Sequence, residues 1–202
     1  MRVAVCQLNS RADRSANLAV AKDLLARAAD AGADLAVLPE YTDYLGPGAG
    51  APEPEPVDGP WAAAFAAAAA EHRMWVLAGS FRERGPDPGR AYNTSLVFDR
   101  SGRLAAAYRK IHLYDVEIPG RVSFHESRSV APGDTPVTVD VEGVRVGLSI
   151  CYDLRFPELY RRLATEGGAQ VLVVPAAFML HTGRDHWEVL LRARAIENQC
   201  YV

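Results

Sequence analysis

A chain of 202 residues, 49% hydrophobic and 23% charged, has the length and make-up of one globular domain with a substantial core. A formal net charge of -3 without a run of Lys or Arg gives no electrostatic footprint for nucleic acid or an anionic membrane surface, and neither partner is expected. Three widely spaced cysteines (Cys6, Cys151 and Cys200), an opening Met1–Gln7 too poor in apolar residues for a signal peptide, and no run of membrane-spanning length together fit a soluble, cytoplasmic protein with free thiols.

Residues 2–8 read as a strand. Residues 15–31 carry Leu18, Ala21, Leu24, Leu25 and Ala28 on one helical face before Gly32 stops them. A second strand at 34–38 completes a βαβ-like opening, which points to an α/β architecture. It runs into Pro39-Glu40-Tyr41, so Glu40 lies at the carboxyl end of a strand, where α/β sheets place their ligands. Residues 46–60 read as a surface loop with polyproline character. Their glycines lack the spacing of a dinucleotide fingerprint, and no Lys-Ser/Thr follows as in a phosphate-binding loop. An alanine-dense helix at 61–73, a strand at 74–81 and a Gly/Pro-rich loop at 82–90 come next.

Strands at 93–99 and 103–108 around Arg100-Ser101-Gly102 form a hairpin, so the sheet is mixed. Residues 109–133 show no sustained periodicity and read as one long loop. The loop holds Lys110, His112, Tyr114, Asp115, Glu117, His125 and Glu126, a content that favours function over disorder. A second hairpin, 135–141 with 144–150 around Glu142-Gly143, delivers Cys151. After it come a helix at 157–166 opened by Pro157, a buried strand at 170–174, a helix at 185–198 and a strand just begun at 200–202.

Strand ends and loops supply three groups whose chemistries complement one another. A carboxylate such as Glu40 can take a thiol proton, an ammonium such as Lys110 can stabilise an oxyanion, and the Cys151 thiolate can attack a carbonyl carbon. At the join between strand and helix, nearby backbone N–H groups are expected to favour the Cys151 thiolate. Local context leaves Cys151 balanced between nucleophile and buried structural residue. Arg155, four residues past Cys151, is placed either to pair with a substrate carboxylate or to form a structural ion pair with an acid such as Glu158. His181 and His186 flank Asp185, but without a further cluster they read as helix-start and packing residues rather than metal ligands. Cys6 and Cys200 read as core residues in strands.

Three segments decide between these readings: Ala36-Val37-Leu38-Pro39-Glu40-Tyr41, Tyr108-Arg109-Lys110-Ile111-His112-Leu113-Tyr114-Asp115, and Gly147-Leu148-Ser149-Ile150-Cys151-Tyr152-Asp153-Leu154-Arg155-Phe156-Pro157-Glu158. In this order and spacing they resemble the nitrilase superfamily of carbon–nitrogen hydrolases over essentially the whole chain. The resemblance implies a four-layer α-β-β-α sandwich, two mixed sheets face to face with helices outside, commonly dimerising through helices. It implies catalytic roles for Glu40, Lys110 and Cys151, with Glu126 as a second glutamate that helps position substrate and the lysine. It implies an amide substrate held near Tyr41, Tyr152 and Arg155, with Ala176-Ala177-Phe178-Met179 also lining the pocket, and no metal or other cofactor.

Lys110–Gly120 and His186–Glu197 look like the branch holding omega-amidase and deaminated glutathione amidase. Nitrile-cleaving members carry Trp-Glu after the nucleophile, whereas this chain has Tyr152-Asp153, so the implied substrate is the linear amide of a small carboxylic acid. The implied product is ammonia, released through a thioester. Family members continue for several dozen residues past the equivalent of Val202, so 1–202 is expected to be a single, C-terminally shortened domain. Two competing readings are a Cys–His hydrolase using His112 or His125 as base, and a catalytically inactive interaction module.

Overall fold

The computed structural model describes residues 1–120 and 122–202, except for the side chains of Ala49 and Val122. Strands β1 (Val3–Val5) and β2 (Leu35–Val37) pair in parallel across helix α1 (Arg14–Asp30), the βαβ opening read from the sequence. The Asp13 carboxylate caps α1 by accepting the Ala16 N–H at 3.0 Å. Helix α2 (Pro60–His72) starts with proline at its first turn and ends on Arg73 in the left-handed conformation.

Beyond it lie β3 (Trp75–Leu77), β4 (Phe81–Arg84), β5 (Ala91–Phe98), β6 (Leu104–Arg109), β7 (Asp115–Ile118), β8 (Val122–His125) and β9 (Val130–Ala131). The remainder is β10 (Thr138–Val141), β11 (Val144–Leu148), α3 (Pro157–Thr165), β12 (Val171–Val173) and α4 (Leu180–Asn198).

Among the described residues the larger sheet has seven strands, in the order β1-β2-β3-β5-β4 with β6 and β9 also on β5. Eight residues make β5 long enough to hold four partners: β3 on its last residues, β4 and β9 on its first, and β6 in antiparallel register along Thr94–Phe98. The smaller sheet is β10-β11-β12, antiparallel then parallel. Glu142 and Gly143, both at positive φ, make the tight β10–β11 turn with the left-handed backbone that such hairpins require.

Side-chain alternation explains how the layers assemble. Along β2, Leu35 and Val37 point to one face and Ala36 and Leu38 to the other. Ala36 and Leu38 meet Ala21 and Leu25 of α1 and Trp61 and Phe65 of α2. Leu35 and Val37 meet Val139, Val146 and Leu148 of the smaller sheet. The outer face of that sheet, through Leu172, packs on Leu159, Tyr160 and Leu163 of α3, with Trp187, Leu190 and Leu191 of α4 against the same cluster. Three apolar interlayers therefore separate four layers, as the α-β-β-α expectation requires. At Gly147 a Cβ would approach Leu172, Ala169 and Leu163 to between 3.0 and 3.2 Å, which is how closely the strand lies beneath its helix.

Four sequence expectations need correction. The strand expected at 74–81 is two strands, because Gly79 at φ +66 turns the chain between β3 and β4, and β4 extends into the expected 82–90 loop. The expected 109–133 loop contains the β7–β8 hairpin, a 3-10 turn at Glu126–Arg128, and β9; Arg121, within it, lies outside the described residues. Helix α4 begins at Leu180, five residues earlier than expected. Cys6 is buried just after β1, whereas Cys200 is only partly buried and lies beyond α4 rather than within a strand. Its neighbour Tyr201 forms a parallel bridge with Val171. Among the described residues no helix is long and apolar enough to cross a membrane.

Candidate functional site

Four side chains from four segments converge. Glu40 lies in the turn after β2, Lys110 follows β6, Glu126 opens the 3-10 turn after β8, and Cys151 opens a 3-10 turn (Cys151–Arg155) after β11. The Glu40 turn is held from below by the β3–β4 corner. Ser80 N–H donates to Pro39 O at 3.2 Å, and Ser80 Oγ accepts the Tyr41 N–H at 2.9 Å. A Cβ on Gly79 would sit 2.0 Å from Pro39 O, so only glycine allows that approach.

Lys110 Nζ donates to Glu40 Oε1 at 3.0 Å and to Glu126 Oε2 and Oε1 at 2.9 and 3.1 Å. All three groups are buried. Burial alone would lower the Lys110 ammonium, but the Glu40 and Glu126 carboxylates overcome it and hold the group above its ordinary value. Asn93 Nδ2 donates to Glu40 Oε1 at 2.9 Å, and the Ala177 N–H donates to Glu40 Oε2 at 3.0 Å, so both carboxylate oxygens are fixed. Glu126 also accepts from Tyr41 Oη at 2.7 Å and from the Tyr114 N–H at 2.6 Å.

Cys151 faces both the Glu40 carboxylate and the Lys110 ammonium. Burial pushes its thiol well above the ordinary value, the Glu40 charge adds to this, and Lys110 offsets only part. Desolvation and the neighbouring carboxylate thus oppose the thiolate that the backbone N–H groups were expected to favour. Its backbone N–H donates to Pro175 O at 2.9 Å.

Among the described residues, five non-glycine residues have positive φ. Arg73 and Gln199 end helices and Glu142 makes a hairpin turn. The remaining two are Cys151, a member of the convergence, and Tyr41, which follows Glu40. A left-handed non-glycine residue costs on the order of 1–3 kcal/mol, and such residues cluster where side chains must be aimed.

A cavity of about 610 Å³ contains Glu40, Lys110, Glu126 and Cys151 together with Tyr41, Tyr152 and Arg155, and Ala177, Phe178 and Met179 also line it. Ala176 does not, and lies in another groove. Tyr41 has its hydroxyl committed to Glu126. Arg155 sits over the rings of Tyr152 and Phe178, 5.6 and 5.4 Å from their centroids, with Nη1 3.3 Å from His186 Nδ1. The ion pair considered with Glu158 does not form; among the described residues Arg155 has no carboxylate partner. Ser123 and Phe124, from the β7–β8 hairpin, and Tyr114 also line the cavity and were not expected there. Asn93 was missed as well; it sits in β5 beside the equally buried Thr94 and Ser95, and its burial is set by packing rather than by local pattern.

The histidines of the rival Cys–His reading are elsewhere. His112 Nδ1 pairs with Asp153 at 2.8 Å and His125 Nε2 with Glu117 at 3.3 Å, and neither ring lines the cavity. A larger groove of about 1220 Å³ runs between β1 and β12, is mostly apolar, and holds none of the four converging groups. Volume alone therefore does not mark the chemistry. Among the described residues no group of three or more His, Cys, Asp and Glu side chains is arranged to hold a metal ion.

The family model for carbon-nitrogen hydrolases matches residues 2–202. Deaminated glutathione amidase of Mus musculus is 44% identical over 99% of the chain, which spans 64% of that protein's length. Omega-amidase NIT2 of Homo sapiens is 41% identical over the whole chain, which spans 72% of it. The crystal structure of Saccharomyces cerevisiae Nit3, a member of branch 10 of the nitrilase superfamily, superposes with a TM-score of 0.84 at 33% identity, over 98% of this chain and 72% of the yeast chain. The chain thus spans under two thirds of the length of the deaminated glutathione amidases it matches. A family match over nearly every residue and a shared four-layer architecture lead to one assignment: the chain belongs to the carbon-nitrogen hydrolase family of the nitrilase superfamily.

Proposed function

We propose that residues 1–202, as one domain, hydrolyse the linear amide of a small carboxylic acid through a thioester on Cys151, releasing ammonia. The convergence of Glu40, Lys110 and Glu126 on the Cys151 thiol carries this reading. Burial and the Glu40 carboxylate both push the thiol up, which favours loss of its proton in concert with attack by the sulfur. Glu40 takes the Sγ proton while the S–C bond forms, and Lys110 Nζ with the Tyr152 backbone N–H holds the oxyanion. Collapse of the tetrahedral species breaks the C–N bond, and Glu40 returns the proton to the departing nitrogen, giving ammonia. A water then gives its proton to Glu40 and attacks the thioester, and the carboxylic acid leaves as Sγ is reprotonated. Glu126 holds Lys110 in place and keeps it cationic throughout.

Arg155 fits the distal carboxylate of the substrate, because its guanidinium lies at the cavity wall against two aromatic faces and without an acidic partner. The branch resemblance and the names of the relatives support an omega-amide such as 2-oxoglutaramate. Exposed Leu180, Val189 and Ile196 on α4 support a homodimer packed through helices, and the three unpaired thiols support a cytoplasmic setting. The assignment is tested by ammonia release. Cys151→Ala is expected to abolish it with circular dichroism unchanged, and Arg155→Gln to raise KM for 2-oxoglutaramate while sparing a neutral amide. Parent-like turnover by Cys151→Ala would overturn it.

A further inference from the structure

Asp153 is fully buried, lies outside the cavity, and takes no part in the proton transfers above. Its Oδ2 accepts the Tyr108 hydroxyl at 2.6 Å and the Ile150 N–H at 2.8 Å. Its Oδ1 accepts the His112 N–H at 2.9 Å and lies 2.8 Å from His112 Nδ1. A carboxylate oxygen can only accept, so Nδ1 carries the proton, and four donors fill the roughly four lone-pair sites of the group.

The positions of those donors matter more than their number. Tyr108 and His112 stand two residues either side of Lys110, and Ile150 and Asp153 bracket Cys151. One carboxylate is therefore tied on both flanks of the lysine and on both flanks of the nucleophile. His112 stacks on Phe156, with centroids 3.7 Å apart and planes at 8°, and Phe156 meets the Tyr152 ring edge-on. That contact extends the connection to the residue whose N–H faces the oxyanion.

We propose that Tyr108, Asp153 and His112 are a positioning clasp that sets Lys110 Nζ against Cys151 Sγ, joining two segments that share no strand pairing. The clasp rests on the amidase reading of Cys151 and Lys110. It acts on the transition state rather than on substrate binding, because none of its members reaches the cavity. A displacement near 1 Å at reacting groups lowers turnover by about 100-fold.

Tyr108→Phe removes one hydroxyl and keeps the ring, and His112→Phe keeps the stack on Phe156 but loses the donor. His112→Asn keeps a nitrogen donor close to the Nδ1 position. Steady-state kinetics of the full chain on 2-oxoglutaramate should show kcat lowered about 10- to 100-fold in both Phe variants, with KM within about twofold of the parent. His112→Asn should recover most of kcat, and the double Phe variant should lose less than the product of the two single losses. The inference is overturned if Cys151→Ala is inactive while Tyr108→Phe and His112→Phe melt at lower temperature yet keep the parent's kcat, or if His112→Asn is as slow as His112→Phe. Retained activity in Cys151→Ala would instead remove the amidase reading itself.

Discussion

At the scale of single residues the site is governed by charge held out of water. Two carboxylates and one ammonium are buried together, and each oxygen of Glu40 has an N–H donor besides or in place of the lysine. Asp43, three residues past Glu40, shows what burial does without such a set of donors. Its carboxyl is pushed up to about 6, burial being the cause, with the long Arg82 N–H contact and the Arg14 charge only partly offsetting it. Its folded value lies above the unfolded value of about 3.9, so the folded chain binds the extra proton between those values. The stabilising effect of that proton is complete below about pH 4 and is lost as pH rises through about 6, on the order of 3 kcal/mol in all. Asp43→Asn should therefore gain stability relative to the parent between pH 4 and 7 in urea melts; a constant difference across that range would contradict the account. Glu40, Lys110 and Cys151 were picked out in the sequence by the three distinctive motifs that carry them, because local context alone left Cys151 balanced. Asn93 was not singled out, and Asp153 was read only as part of the Tyr152-Asp153 pair after the nucleophile, because a polar residue's burial and partners depend on segments distant in the chain.

At the scale of elements, strand ends aim the chemistry and short turns hold the aim. Gly79 is the clearest case, since its positive φ and the 2.0 Å approach of a would-be Cβ to Pro39 O both exclude a side chain. Gly79→Ala is expected to cost at least about 1 kcal/mol of stability. It should also lower kcat, because the Glu40 turn must shift to admit the methyl group. Equal urea midpoints and equal kcat would show that the corner does not hold Glu40. This corner also explains why 74–81 read as one strand. Apolar residues continue across Gly79, and only the contact with Pro39 reveals the break. The β7–β8 hairpin was illegible for a related reason. Among the described residues it pairs only with itself; Val116, Ile118 and Phe124 do alternate with polar residues, but each run is only four residues long and Ile118 and Phe124 stay exposed, so no buried face marks it as part of the core. The β10–β11 hairpin has such a face in Val139, Val141 and Val146 and was read correctly.

At the scale of the whole molecule, four layers bring segments more than 100 residues apart into one cavity. Glu40 belongs to the larger sheet and Cys151 to the smaller, and the apolar interlayer of Leu35, Val37, Val146 and Leu148 fixes the distance between their strand ends. The sequence pattern by itself supported only an α/β chain with hairpins, because which face of each strand meets which layer is a property of packing. Resemblance supplied the layers, and the three separate clusters bear them out. The central claim is that Cys151 carries the acyl group during turnover. Intact-protein mass spectrometry of the chain quenched in acid during turnover of 2-oxoglutaramate tests it most directly. A mass increase equal to the acyl group, mapped to Cys151 and absent from Cys151→Ala, is the predicted result. Turnover with no adduct under conditions where hydrolysis of the thioester is rate-limiting, or an adduct at another residue, would contradict it.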